Sequence, residues 1–300
     1  MSYALLKKVC TKCRDSSIKT YWANIKALAK LSGRDDVPGN AAWLNDNLLK
    51  RVLSEPLGRS KRFATAGVKA AQMYNKKKPK WTAAMTKQTD SYASLRKSGK
   101  RTVRETTNWP KGGYQALSKL AKEMHSEVQN LETKKNWNSK DIYRYQRFLV
   151  VLFYSKHALR GDLADCRIKA PWGSNYIKKK GGKYVLQISQ HKTSRSHGAI
   201  EIEPGPALQN AFSIFITKSK QLATHGYLLS TLRGTNRLKR SDMLRMIRSI
   251  MRDRLGKNIG VQLIRVLKVS ESAAEIDKAV ALQKELGHSA GMQQKYISRD

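Results

Sequence analysis

The sequence is poor in three features that mark common protein classes: cysteines, long apolar runs and acidic residues. Only three of the 300 residues are cysteine. Cys10 and Cys13 form a CxxC pair, which is half of a zinc site, and Cys166 has no second cysteine or histidine at ligand spacing. This pattern predicts reduced thiols, with no metal and no other cofactor.

No apolar run reaches the roughly 18 residues that suggest a membrane-spanning helix. The longest run, residues 148–154, is far shorter, and the residues after Met1 lack the apolar stretch of a signal peptide. Apolar residues still make up 40% of the chain, which is enough for two domains with their own cores. The sequence therefore predicts a folded intracellular protein with no membrane partner.

Acidic residues are scarce beside basic ones: 22 against 59, which gives a formal net charge of +37. Such an excess causes self-repulsion that a polyanion would relieve. Nucleic acid is the first candidate partner, an acidic membrane surface is the second, and a basic surface that is only solvated is the third. The excess is spread over the whole chain, so both halves are expected to contact the polyanion.

Apolar residues recur at helical spacing through the first part of the chain. They predict helices over residues 17–31, 40–53, 60–74 and 81–95. Pro110, Gly112 and Gly113 then indicate a linker. The predicted organisation is a helical core DNA-binding domain at residues 1–105, a linker at 106–113, and a second domain at 114–300.

The second domain combines helical and strand patterns. Helices are predicted over residues 114–131, 139–159, 206–216, 241–255, 261–269 and 273–286. Residues 184–189 and 199–203 alternate apolar and polar side chains, and the polar turn 190–197 between them predicts a β-hairpin. Residues 174–178 are a candidate third strand. The predicted fold class is mainly α with a small antiparallel sheet.

Four separated segments of this domain carry residues suited to phosphate chemistry. They are Arg160 at the end of a long helix, Lys192 in the hairpin turn, Gln262 with Arg265 on a later helix, and His288 followed by Tyr296. Asp162 and Asp165 are placed to hold the guanidinium of Arg160. Each residue taken alone has an ordinary explanation as a paired helix end, a solvated lysine, a helix cap or a core aromatic.

Together, in this order, these residues resemble the tyrosine recombinase (phage integrase) family. The resemblance covers nearly the whole chain, and it rests on the order Arg160, Lys192, Gln262-x-x-Arg265, Leu286-Gly287-His288 and Tyr296. It implies a mixed α+β catalytic domain behind a helical core-binding domain. It also implies a site-specific recombinase or integrase, of the kind that mobile elements and viruses carry.

The resemblance also implies a role for each residue. Arg160 and Arg265 would bind the non-bridging oxygens of a DNA phosphate, for which the forked guanidinium is suited. Lys192 would protonate the leaving 5′ oxygen, and His288 would donate a hydrogen bond to the phosphate. Tyr296 would attack phosphorus and form a covalent 3′-phosphotyrosine. The reaction would need neither metal nor ATP.

The chain departs from the family pattern at several points. Gln262 stands where the family usually has histidine; an amide can bind phosphate but cannot accept the tyrosine proton. Asp162 follows Arg160 by two residues where three is more common, so the family pattern does not fix its role toward the arginine. The sequence ends four residues after Tyr296, which leaves open how the four protomers implied by the resemblance would assemble on paired sites.

Double-stranded DNA is the predicted partner, and basic residues in two regions are candidates for contacting its backbone. They are Arg59, Lys61, Arg62, Lys69, Lys76, Lys77 and Lys78 in the first domain, and Lys179, His191 and Arg195 around the hairpin. Two relatives with the same chemistry remain as alternatives: a type IB topoisomerase and a telomere resolvase. A catalytically inactive DNA-binding relative is a third alternative, for which Gln262 argues.

Overall fold

The computed structural model divides the chain into an N-terminal unit, Met1–Thr102, and a C-terminal unit, Val103–Asp300. It describes residues 3–168, 173–219 and 225–285. The boundary lies at residues 102 and 103. Residues 106–113, predicted as the linker, belong to the C-terminal unit, where Lys257 and Asn258 hydrogen-bond to Thr107 and Asn108.

The N-terminal unit is built from helices only, within the residues described. They are α1 (Tyr3–Val9), α2 (Asp15–Leu31), α3 (Asp46–Leu53), α4 (Leu57–Met73) and α5 (Pro79–Lys97). Asn45 caps α3 by accepting a hydrogen bond from the Leu48 amide at 2.9 Å, and Pro79 begins α5 where no intrahelical donor is needed. The buried faces of α2, α3 and α4 form one apolar core.

Helices α4 and α5 pack closely against each other in this core. Trp81 is 1% exposed and lies directly against Gly67 of α4, where any side chain would collide with the indole ring. The Trp81 indole donates to the Leu44 carbonyl at 3.2 Å, so its only polar group is paired. Gly67 is therefore needed for the space it leaves and not for an unusual backbone angle.

The C-terminal unit contains more helices and a small sheet. Its elements are α6 (Val103–Asn108), α7 (Gln115–Thr133), α8 (Ser139–Lys156), a 3-10 helix (Gly161–Asp165), β1 (Tyr176–Lys180), β2 (Lys183–Ile188), α9 (Ser194–His197), β3 (Ile200–Ile202), α10 (Pro206–Ser219), α11 (Arg240–Leu255), α12 (Val261–Glu271) and α13 (Ala273–Glu285).

Helix α8 is the centre of this unit. A reciprocal capping box between Asn138 and Asp141 fixes its start, and residues 148–155 are buried on every side, with α7, α10 and α11 packed around them. Within this core, the Gln146 amide binds both backbone groups of Ser230, at 3.0 and 2.8 Å. This pair attaches the segment before α11 to α8.

The sheet has the antiparallel order β1-β2-β3. Tyr184 lies opposite Lys179, and Leu186 lies opposite Ile202. The Gln209 side chain of α10 binds the backbone N–H and C=O of Tyr184, both at 2.7 Å, and so holds the sheet against the core. The 190–197 connection between β2 and β3, predicted as a turn, includes the short helix α9.

The prediction of a mainly helical chain with a small antiparallel sheet is confirmed by the described residues. None of the helices in the described ranges has both the length and the apolar character that crossing a membrane requires.

Candidate functional site

Arg160 is held at a fixed place by its own backbone. It follows the end of α8 in an extended conformation (φ −69°, ψ −168°) and directly precedes the 3-10 helix. Its carbonyl accepts a hydrogen bond at 2.7 Å from the hydroxyl of Tyr154, a fully buried residue of α8. Because that phenol cannot move without disturbing the core, the base of the Arg160 side chain is well positioned, and the residue as a whole is partly exposed.

Arg265 reaches the same region from α12. Val261, Ile264 and Leu267 bury one face of this helix, and Arg265 lies partly buried beside it. Burial and the nearby positive charge of Arg160 lower the pKa of Arg265, and Asp162 opposes part of that effect. An arginine keeps its proton at neutral pH. The lowered pKa therefore means that the surroundings of Arg265 destabilise its charged form.

Among the predicted site residues on different elements of the described ranges, Arg160 and Arg265 are the pair for which one charge acts on the other. There, no carboxylate lies within ion-pairing distance of Arg160 or of Arg265. Two neighbouring cations without an acidic partner repel each other, and an anion between them would relieve the repulsion. The arrangement thus suits an oxyanion such as a phosphate group, which guanidinium forks bind through charge-assisted hydrogen bonds.

The prediction that Asp162 and Asp165 hold the guanidinium of Arg160 is wrong, because both acids pair with a different arginine. Both carboxylates bind Arg240, the first residue of α11: its Nη2 lies 2.8 Å from Asp162 Oδ1 and 2.6 Å from Asp165 Oδ2, and its Nε lies 3.1 Å from Asp165 Oδ2. Burial disfavours the charge of Arg240, but hydrogen bonding and attraction to Asp165 and Asp162 outweigh it and raise its pKa. Arg240 is a residue that the sequence analysis missed.

Gly161 makes room for this ion-pair cluster. An added Cβ at this buried position would lie 2.9 Å from Cγ and 3.2 Å from Cδ of Arg240. One signal for Arg240 was present in the sequence, because a cation in the first turn of a helix opposes the helix dipole and needs an acidic partner close by. Only the fold shows that this partner is the turn after Arg160.

Gln262 lies one turn before Arg265 on α12 and is exposed. Residues three apart share a helix face, so the amide projects on the same side as the guanidinium. It forms no hydrogen bond within the described part of the chain. Gln262 is therefore free to bind a ligand that reaches Arg265, but it offers no basic group.

Lys192 is exposed on the β2–β3 connection, and its side chain forms no hydrogen bond or ion pair within the described residues. The start of this connection is fixed by Asn175, whose amide accepts from the Gln190 N–H at 2.7 Å and donates to its carbonyl at 3.1 Å. His191 bonds to the Gly198 carbonyl at 2.8 Å and to Thr193 at 3.3 Å, so its ring closes the loop internally.

Three predicted residues have side chains that are not described. His288 and Tyr296 lie outside the described residues, and for Arg195 only the backbone, in α9, is described. Lys179, on β1, lies over the ring of Tyr184 at 5.1 Å.

The basic residues of the N-terminal unit that were predicted to contact DNA differ in whether their side chains already make contacts within the unit. Arg59, Lys61 and Lys69 lie over the rings of Phe63, Tyr92 and Tyr21, and Arg62 donates to the Gly58 carbonyl at 3.2 Å. By contrast, Lys76, Lys77 and Lys78 line an open groove of about 1250 Å³ between α4 and α5, together with Lys87. This lysine-lined groove is the part of the unit best suited to a polyanion.

Within the described ranges, no group of three or more histidine, cysteine, aspartate or glutamate side chains is arranged to hold a metal ion. A comparison with models of known protein families finds no match, and a comparison with curated proteins finds none.

Proposed function

We propose that the chain is a DNA strand-transfer enzyme of the tyrosine recombinase type, with its phosphate site in the C-terminal unit. The observation that carries the proposal is the pairing of Arg160 with Arg265. The two arginines are about a hundred residues apart in sequence, yet in the fold the charge of Arg160 lowers the pKa of Arg265. They lack acidic partners in the described ranges, as a phosphate site requires.

The proposed chemistry is a transesterification at one DNA phosphodiester. The phenolate oxygen of Tyr296 forms a bond to phosphorus, the bond from phosphorus to the 5′ oxygen breaks, and Lys192 gives that oxygen its proton. Arg160 and Arg265 stabilise the charge that builds on the non-bridging oxygens. A 5′ hydroxyl of another strand then reverses the step, which conserves the energy of the ester bond.

Gln262 and His288 complete the proposed phosphate site as hydrogen-bond donors. Because an amide cannot take the proton of Tyr296, that proton must leave to water or to another group. The same substitution favours the second candidate function, a DNA-binding protein without cleavage activity. The two candidates differ in one property: a covalent protein–DNA adduct.

The test uses nicked duplexes with a randomised central sequence, which trap a covalent intermediate because the short cleaved strand diffuses away. The full chain is incubated with the pool in EDTA, adducts are isolated under denaturing conditions, and their DNA is amplified and retested. An adduct that Tyr296→Phe abolishes supports the proposal. Arg160→Ala and Arg265→Ala should each slow its formation by about 10²–10³, the usual effect of removing one charge-stabilising group.

Arg254→Ala is the matched control for both arginine variants. Arg254 lies at the far end of α11 and pairs with Glu127 through two bonds of 2.7 Å. Its removal lowers the net charge by the same amount but should leave the adduct rate nearly unchanged. Binding of duplex DNA with no adduct from any sequence would refute the enzyme and favour the inactive relative.

Assembly is the remaining part of the proposal. Four protomers on paired sites would exchange strands, whereas a topoisomerase-like enzyme would nick and reseal one strand as a monomer. Adding a second copy of the selected duplex distinguishes them, because only the recombinase produces joined recombinant strands. Relaxation of supercoiled DNA without recombinants would favour the topoisomerase alternative.

A further inference from the structure

Two carboxylates, those of Asp162 and Asp165, lie beside the proposed phosphate site, although negative charge there would repel a phosphate. Asp162 is 2% exposed and lies two residues after Arg160. A buried carboxylate beside two arginines would normally pair with them and neutralise the charge that a phosphate needs.

We infer that Arg240 is a positioning residue for the phosphate site: it binds Asp162 and Asp165 and so leaves Arg160 and Arg265 free to take a phosphate. The inference rests on the proposed function for the identity of the ligand. It concerns a residue that acts through others, since its guanidinium is already occupied by the two carboxylates at 2.6 and 2.8 Å.

The geometry around Arg240 supports this role. The side chain extends from the first residue of α11, where a cation is disfavoured by the helix dipole, so its location is stabilised by the two acids. Gly161 leaves its stem room to pass, because a Cβ at that position would lie only 2.9 Å from the Arg240 Cγ. Asp165 is also within 3.9 Å of Arg237, which supplies a further cation on the same side of the cluster.

Removing Arg240 would release the two carboxylates. Asp162 already acts electrostatically on Arg265, and it is next but one to Arg160 in the chain. Without Arg240, Asp165 still has Arg237 at 3.9 Å, whereas the buried Asp162 is left with Arg265 as a cation on which it already acts. The phosphate site would then be occupied by the protein's own acid.

The experiment compares Arg240→Gln with the control Arg254→Gln in the adduct assay on the selected duplex. Both variants lose one positive charge from the same helix; Arg240→Gln releases Asp162 and Asp165, and Arg254→Gln releases Glu127. Arg240→Gln is expected to slow adduct formation by about 10- to 100-fold, as is typical when the partner of a directly acting group is removed. Arg254→Gln should stay within about twofold of the unsubstituted chain, as for a surface pair. Equal effects of the two variants would overturn the inference.

A rescue variant separates charge competition from a merely structural role. Arg240→Gln combined with Asp162→Asn and Asp165→Asn still lacks the ion-pair contact between α11 and the 3-10 helix, but no acid is left to compete. Recovery to within about threefold of the unsubstituted rate is expected from charge competition. Failure of the rescue, with circular dichroism unchanged, would mean that Arg240 only holds α11 in place and would refute the inference.

Titration with dimethyl phosphate, a minimal phosphodiester, keeps the test independent of DNA cleavage. The Nε–Hε NMR signals of Arg160 and Arg265 report binding directly. Shifts in the unsubstituted chain that need about tenfold more ligand in Arg240→Gln would support the inference even if no adduct forms, in which case only the proposed enzyme fails. An adduct that depends on Arg160 but is insensitive to Arg240→Gln would refute the role of Arg240 alone. If neither an NMR shift nor an adduct is seen, both the role of Arg240 and the proposed enzyme are refuted.

Discussion

Replacing Gly67 by alanine is expected to destabilise the N-terminal unit, although alanine is the better helix former. The added Cβ would lie 2.9 Å from Cδ2 of Trp81 and closer still to Cε3 and Cζ3 of the same ring. The indole cannot easily move aside, because it is buried and bonded to the Leu44 carbonyl. Overpacking of this kind costs about 1–3 kcal/mol, and a contact with three atoms of a rigid ring belongs at the upper end.

Two effects of opposite sign therefore decide the result. Helix propensity favours alanine over glycine by about 1 kcal/mol inside a helix. The clash should exceed that gain, which leaves a net loss of roughly 1–2 kcal/mol. For a unit of this size, such a loss lowers the melting temperature by roughly 4–16 °C.

Gly58 of the same helix provides the matched control. A Cβ there would meet only Tyr92 Cε2, at an ordinary 3.9 Å, so Gly58→Ala should be neutral or stabilising by up to about 1 kcal/mol. Hydrogen exchange measured by mass spectrometry on the full chain reports α4 and α5 separately from the C-terminal unit. If Gly67→Ala protects these helices as well as Gly58→Ala does, the tight α4–α5 packing described above is wrong.

Three further predictions concern stability, pH and salt. Gln146→Met should cost about 3 kcal/mol in urea unfolding, because it leaves two buried backbone groups of Ser230 without partners; an effect below about 1 kcal/mol would show that this bridge is unimportant. Burial raises the pKa of Tyr114 to about 12. Its phenol ionises more readily in the unfolded chain, so stability should fall as pH rises from about 10 towards 12, and Tyr114→Phe should weaken this dependence in alkaline unfolding curves. DNA affinity should fall linearly with the logarithm of salt concentration, and changing the lysines at 76–78 to glutamine should flatten that slope by about 0.9 per lost phosphate contact; an unchanged slope would place the DNA elsewhere.

Much of the fold could be predicted from the sequence because its helices are long and their apolar spacing is regular. The helix predicted over residues 139–159 corresponds to α8 (Ser139–Lys156), and the helix predicted over residues 241–255 corresponds to α11 (Arg240–Leu255). The strands were found for the same local reason, since alternation along a chain needs no partner to be visible. The boundary between the two units lies at residues 102 and 103, and Pro110 with the glycines after it lies inside the C-terminal unit.

The sequence by itself also determined which residues of the types needed by the proposed phosphate site are present, and their order along the chain. It could not determine which charges meet. Asp162 was assigned to Arg160 because they are neighbours in sequence, but its partner is Arg240, 78 residues further on. Local periodicity is encoded within a few residues, whereas the partner of a charged side chain depends on which elements the core brings together. Only the tertiary structure could decide that the two acids bind Arg240 and that Arg160 lies near Arg265.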